Sequence, residues 1–266
     1  MTFKERYGHW AVIAGASEGT GAAFARAIAA QGVNCILVAR STEKLNALAD
    51  ELRQASGIDC MTLSADLAAP DAAGQIIAAA GTREVGLLIA NAGADTNGAN
   101  FLDAGIERWT ELLNLNAVTT MKLCHHFGQQ MCARKRGGII LIGTGASYGG
   151  MRSLAIYAGA KAFLLCFGES LWSELRAYDV HILNLMLGRT DTPAFRRALE
   201  SKGLPIPAQL AKPEDVAAKG LEQLPHGPVY NWGLADDQSG FAPTSAAARR
   251  ARIAAMEEAA KAVMGK

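Results

Sequence analysis

Apolar residues in this 266-residue chain gather in short continuous runs and seldom alternate with polar ones. Seven runs have strand length: residues 9–15, 34–40, 60–65, 86–91, 138–144, 180–187 and 229–232. A strand with one solvated face alternates, whereas a continuous run marks a strand buried on both faces, as in a parallel sheet. Alanine-rich stretches with helical periodicity separate them, at residues 21–31, 43–55, 71–80, 106–133, 155–178 and 214–224. This alternation predicts an α/β fold, a doubly wound parallel sheet with helices on both faces and right-handed crossovers. Residues 188–213 are less regular and carry Pro193, Pro205, Pro207 and Pro213. Residues 244–264 predict a last amphipathic helix, with Arg249, Arg250 and Arg252 on its solvated side. With no internal repeat and no long linker, residues 1–266 read as a single domain.

Composition narrows the function classes. Half of the residues are hydrophobic, enough for a full-sized core without disulfides. The formal net charge of +1 lacks the basic excess of a nucleic-acid binder. Five cysteines occur without a C-x-x-C pair, and Cys35, Cys60 and Cys166 sit in apolar runs, so buried free thiols are expected. Cys124, His125 and His126 are adjacent in a predicted helix and point in different directions, so no metal site is expected. The first ten residues are polar and do not read as a signal peptide, and no run is long enough to span a membrane. A reducing, cytoplasmic setting is the expectation.

The first strand runs into Gly15-Ala16-Ser17-Glu18-Gly19-Thr20-Gly21, and a helix follows. A pyrophosphate approaches backbone amides at a helix N-terminus, where the dipole favours negative charge and a side chain would block access. Ordinary tight turns also use glycine; the place of this cluster, after the first of several buried strands, gives it weight. The second strand ends in Ala39-Arg40. A carboxylate there would bind a ribose 2′-hydroxyl and repel a 2′-phosphate; a guanidinium binds the phosphate with two parallel hydrogen bonds. Arg40, with the Ser17 hydroxyl, therefore predicts NADP(H), the plain alternative being a surface arginine at a strand end.

Tyr157 and Lys161 are four residues apart at the start of a long helix and share one face. Alone that spacing is common. Thr144, however, ends a buried strand thirteen residues earlier, Asn91-Ala92-Gly93 ends another, and Asn116 lies in a helix between them. Taken in order from residue 9 to 192, Gly15-x3-Gly19-x-Gly21, Asp66, Asn91-Ala92-Gly93, Asn116, Tyr157-x3-Lys161 and Gly188-x3-Thr192 resemble the motif set of the short-chain dehydrogenase/reductase family. The resemblance implies a Rossmann-type seven-stranded sheet of order 3-2-1-4-5-6-7 and alcohol–ketone redox chemistry. Tyr157 would deliver the proton. Lys161 would lower the tyrosine pKa and hold the nicotinamide ribose, Thr144 would polarise the substrate oxygen, and Asn116 would anchor a water. Cofactor contacts would come from Gly15, Ser17, Glu18, Gly19, Thr20, Gly21, Arg40, Asp66, Leu67, Asn91, Ala92, Gly93, Tyr157, Lys161, Gly188, Thr190 and Thr192. The chain departs from the pattern in having Thr144 for the usual serine, with Ser147 a possible assistant or substitute, and Leu187 for the usual proline.

A closer resemblance, carried by Tyr7-Gly8-x-Trp10, Gly15-Ala16-x-Glu18-Gly19, Tyr157-Ala158-Gly159-Ala160-Lys161-Ala162-Phe163 and Leu187-Gly188-x-Thr190, is to bacterial 7β-hydroxysteroid dehydrogenases. It implies a rigid, bulky, partly apolar small-molecule substrate. Loops 94–106, 145–156 and the substrate loop 188–213 would select it, through Phe101, Leu102, Met151, Leu154, Ile156, Phe195 and Leu199. Arg189, Arg196 and Arg197 either meet an anionic tail or stand solvated. Two other functions stay open: reduction of a 3-oxoacyl thioester, and a catalytically silent NADP-binding regulator. Helices 106–133 and 155–178 would pair in a homodimer or homotetramer, as they commonly do in this family.

Overall fold

The computed structural model describes residues 1–95, 98–201 and 203–232. A short helix α1 (Phe3–Tyr7) precedes β1 (Trp10–Ala14), α2 (Gly19–Ala29), β2 (Asn34–Ala39), α3 (Thr42–Ser56), β3 (Cys60–Ser64), α4 (Ala72–Ala80) and β4 (Val85–Ala90). The second half runs through α5 (Ile106–Leu113), a π turn (Asn114–Val118), α6 (Thr119–Arg134), β5 (Gly137–Thr144), α7 (Ala155–Leu175), β6 (Val180–Leu187), α8 (Pro193–Glu200), α9 (Pro213–Gln223) and β7 (Val229–Trp232). All seven strands are parallel, in the order β3-β2-β1-β4-β5-β6-β7. The order expected from the resemblance is the order observed.

Continuous apolar strands arise because both faces are covered. In β1, Ala11 and Ile13 join a core with α2, α3 and α9, while Val12 and Ala14 join the opposite core with α4 and α6. All four are buried. The chain leaves β1 toward one edge and returns to β4 for the other, so a crevice opens beyond the carboxyl ends of these two strands. The segments leaving β1, β2, β4, β5 and β6 all emerge at that edge.

Predicted and observed elements coincide to within two residues at most ends, with four exceptions. α1 was unpredicted, although Thr2 and Glu5 form a reciprocal capping box around it. α8 lies in the segment expected to be irregular; its signal is Thr192-Pro193, an N-cap hydroxyl that accepts from Phe195 N, followed by proline at the first helical position. The helix predicted over 106–133 is broken in phase by the π turn, and the one over 155–178 tightens into a 3-10 turn after Leu175. Cys166 corrects the expectation of a buried thiol: it lies exposed on α7, whereas Cys35 and Cys60 are buried. The helix expected over 244–264 lies outside the described residues.

Phe24 on α2 is fully buried against the sheet and beneath Gly220 of α9. Replacing it with alanine removes an aromatic ring that close packing cannot refill. Phe24→Ala should lower the unfolding free energy by about 3–5 kcal/mol in urea titration; a loss below about 1 kcal/mol would contradict this packing.

Candidate active site

The site begins with a close backbone approach. After β1, Gly15 and Ala16 donate to the Val38 carbonyl at 2.8 and 3.0 Å, tying the turn to β2. Gly15 and Gly19 hold φ of +81° and +56°, conformations that disfavour side chains. A Cβ at Gly21 would lie 2.0 Å from the Gly15 carbonyl oxygen, so only glycine lets α2 start here. Asn91, leaving β4, donates its amide to the same carbonyl at 2.9 Å. The first turn of α2 has no side-chain cap, which leaves its amides free for an anion. Gly21 itself stands behind the turn.

These segments border a cleft of about 1170 Å³ along the carboxyl edge of the sheet. Gly15, Ser17, Glu18, Gly19 and Thr20 line it on one side, followed by Arg40, then Asp66 and Leu67. Asp66 accepts the Ala68 amide at 3.0 Å. Asn91, Ala92 and Gly93 form the middle, and Gly188, Thr190 and Thr192 close the far end beside Thr144, Tyr157 and Lys161. Asn116 lies one layer deeper. Apart from Gly21 and Asn116, every predicted site residue thus reaches the cleft surface.

Thr144 ends β5 and caps the following 3-10 turn, its hydroxyl 3.5 Å from the Ala146 amide. Tyr157, in the first turn of α7, lines the same cleft wall as Thr144. Burial pushes the Tyr157 phenol up to about 12, the Asp95 carboxylate adds to the rise, and the Thr144 side chain opposes it. Lys161 is 3% exposed, and its ammonium donates to the Ile142 carbonyl at 2.9 Å. Burial draws Lys161 down to about 8. The expected lowering of the tyrosine pKa by Lys161 is therefore corrected: the phenol is raised. Desolvation sets the direction of the shift, and the Lys161 ammonium is engaged with a backbone carbonyl.

Gly93, with φ of +149°, separates two of these groups. A Cβ there would lie 2.6 Å from Asn116 Oδ1 and 2.7 Å from Lys161 Nζ, so its absence lets both side chains close on the backbone. The π turn aims Asn116 inward, where its amide donates to the carbonyls of Ala94 (3.1 Å) and Leu112 (3.0 Å). Its Oδ1 is buried and accepts nothing, as is the Thr190 hydroxyl oxygen. Both are polar atoms awaiting a partner. Ser147 is buried away from the cleft lining, so Thr144 alone of the two presents its hydroxyl there.

Sequence reasoning missed one cluster. Glu18 accepts the Lys44 ammonium at 2.6 Å and is gripped by the Arg197 guanidinium of α8. These two cations, Arg197 foremost, hold the Glu18 carboxyl below its usual range. Lys44 in the first turn of α3 runs against the helix dipole, the one sequence signal that it serves another purpose. On the substrate side, Phe195, Arg189 and Arg197 reach the cleft. Leu199 does not: it is buried beneath α8. Phe101 and Leu102 are exposed, Phe101 stacking on Trp109, and neither they nor Met151, Leu154 and Ile156 line the cleft. Arg196 forms a bidentate pair with Asp191.

Among the described residues no cluster of three metal-ligating side chains occurs, and no helix is long and apolar enough to cross a membrane. The family model described as short chain dehydrogenase matches residues 9–203. A 7beta-hydroxysteroid dehydrogenase of Mediterraneibacter gnavus is 31% identical over 226 residues, covering 84% of this chain and 86% of that protein. A very-long-chain 3-oxoacyl-CoA reductase of Podospora anserina is 33% identical over 77% of this chain and 62% of its own length. A solved 7beta-hydroxysteroid dehydrogenase superposes with a TM-score of 0.81 at 30% identity, over 88% of this chain and 91% of that one. A short-chain dehydrogenase from Sphingobium yanoikuyae in complex with NADPH superposes at 0.75 with 25% identity, over 95% of each chain.

The buried ammonium has a pH signature. Lys161 titrates near 8 when folded and near 10.5 when exposed, so between those values the unfolded chain holds more protons and stability rises with pH. Relative to Lys161→Met, the unmodified protein should gain unfolding free energy from pH 8 to 10.5 in paired urea titrations. A difference that stays flat across that window would show that the ammonium is not desolvated.

Proposed function

The chain belongs to the short-chain dehydrogenase family, and from that premise we propose that it is an NADP(H)-dependent oxidoreductase interconverting a secondary alcohol and a ketone on a bulky, partly apolar substrate such as a hydroxysteroid. The placing of Thr144 and Tyr157 on one cleft wall, with the buried Lys161 beside them donating to the Ile142 carbonyl, carries this reading.

The residues fit a dinucleotide. The space kept free at Gly21 and the uncapped amides of α2 suit a pyrophosphate, and Arg40 beside Ser17 suits a 2′-phosphate. Asp66 and Leu67 would flank the adenine, and the partnerless Thr190 hydroxyl, with Thr192, would meet the nicotinamide end. When bound, the nicotinamide supplies or accepts the hydride. Tyr157, held as a neutral phenol by burial, gives its proton to the ketone oxygen while Thr144 hydrogen-bonds that oxygen. Lys161 would turn from the Ile142 carbonyl toward the ribose hydroxyls and the new phenolate, whose charge it would stabilise. The vacant Asn116 Oδ1 would hold a water through which the proton is restored.

Arg189 supports a second reading. Its side chain lines the cleft and has no side-chain partner among the described residues, as binding the phosphate of a 3-oxoacyl thioester would require. A homodimer or homotetramer would cover Leu113, Met121 and Phe163, which stand exposed on α5, α6 and α7.

A panel of ketosteroids, simpler bulky ketones and oxoacyl thioesters, assayed with NADPH and NADH, tests the assignment. Ketosteroid turnover with a kcat/KM for NADPH above that for NADH is expected; turnover confined to thioesters would select the second reading, and an equal or better NADH would remove the cofactor assignment. Tyr157→Phe keeps the packing and deletes the acid, and should lower kcat by at least about 10²-fold; near-normal turnover would end the proposed mechanism.

A further inference from the structure

Glu18 stands between two parts of the protein that handle different ligands. It belongs to the glycine turn. Lys44 belongs to α3 and faces the corner formed by Ser17, Arg40 and Ser41, where the proposed 2′-phosphate would sit. Arg197 belongs to α8, the helix of the substrate loop, 179 residues away. α8 approaches the turn closely: a Cβ at Gly19 would lie 2.9 Å from the Thr192 methyl. Among the described residues, the Arg197–Glu18 pair is the one polar side-chain tie from α8 to a residue outside the loop. The other α8 arginine, Arg196, is spent on Asp191 within the loop itself.

The grip on Glu18 is incomplete. Arg197 Nη2 holds Oε1 closely, but Nη1 stays 3.3 Å from Oε2. A full guanidinium–carboxylate fork has both contacts near about 2.8 Å. Lys44 is what occupies Oε2, at 2.6 Å. Two cations, Lys44 and Arg197, thus share one carboxylate, and Arg40 lines the same cleft, an excess of positive charge that a phosphate dianion would offset.

We propose that Glu18 relays occupation of the 2′-phosphate corner to the substrate loop: a phosphate that draws Lys44 off Oε2 lets Arg197 complete its fork and fastens α8 over the cleft. The relay rests on the NADP(H) reading above. It adds that the 2′-phosphate, which takes no part in hydride transfer, orders the wall that selects the substrate. Lys44 and Arg197 are positioning residues here.

The test reads α8 directly and needs neither nicotinamide nor turnover. Amide hydrogen exchange of residues 193–200 is followed with the full chain alone, with saturating adenosine 2′,5′-bisphosphate and with saturating 5′-AMP. The bisphosphate should slow exchange by about 5-fold, the low end of ordinary coupling between sites, because these groups are partly solvated; 5′-AMP should leave it unchanged. Lys44→Met should show the slow exchange without any ligand, an ordering that general loosening of the fold cannot produce. Arg197→Gln should exchange fast in all three conditions. If the bisphosphate binds no tighter than 5′-AMP, the NADP(H) reading falls and the relay with it. If it binds tighter while α8 exchange is unchanged, or if Lys44→Met exchanges as fast as the parent, the relay alone is overturned.

Discussion

The empty space between Gly21 and the Gly15 carbonyl is the constraint on which the site depends. A single added carbon would sit 2.0 Å from that oxygen, so α2 could neither begin where it does nor point its first amides along the crevice. The carbonyl is also the acceptor for Asn91, which couples the end of β4 to the turn after β1. These are the two strands flanking the point where the sheet order reverses. A contact between two backbone segments therefore fixes both walls of the crevice before any chemistry-bearing side chain is placed.

On the opposite wall, desolvation sets the character of the proposed catalytic groups. Lys161 and Asn116 meet across Gly93, in a layer too tight for a side chain. Burial keeps the Tyr157 phenol protonated and eases the ammonium toward neutrality. Both shifts leave the ligand-free site with less internal charge than its residue list suggests. The Asn116 acceptor and the Thr190 hydroxyl are buried at positions where a ligand or water would engage them.

The sheet was legible in the sequence because a strand buried on both faces has no polar positions to confuse its reading. The proposed triad of Thr144, Tyr157 and Lys161, which share one cleft wall, was legible because strand end, turn and helix start are close in sequence. What escaped was non-local or depended on depth. The ion cluster joins residues 18, 44 and 197, which only the fold brings together. The pKa of Tyr157 was misjudged because a neighbouring lysine is visible in the sequence and the thickness of protein over it is not. Prolines hid α8, although Thr192-Pro193 marks its start. Cys166 reads as core from its apolar neighbours, yet the helical phase of α7 turns it outward.

The π turn between α5 and α6 has a consequence for how this chain tolerates changes in length. It holds one more residue than a regular helical turn would and takes up that surplus within itself. Deleting any one residue from 114–118 would let the two helices fuse into one smooth rod with improved local hydrogen bonding. Because the turn absorbs its surplus residue locally, such a deletion would leave Leu123, Phe127 and Met131 of α6 against the sheet and would cost only the inward bulge that aims Asn116. The helix is thus locally less regular where Asn116 points inward, while the α6 core face keeps its place on the sheet.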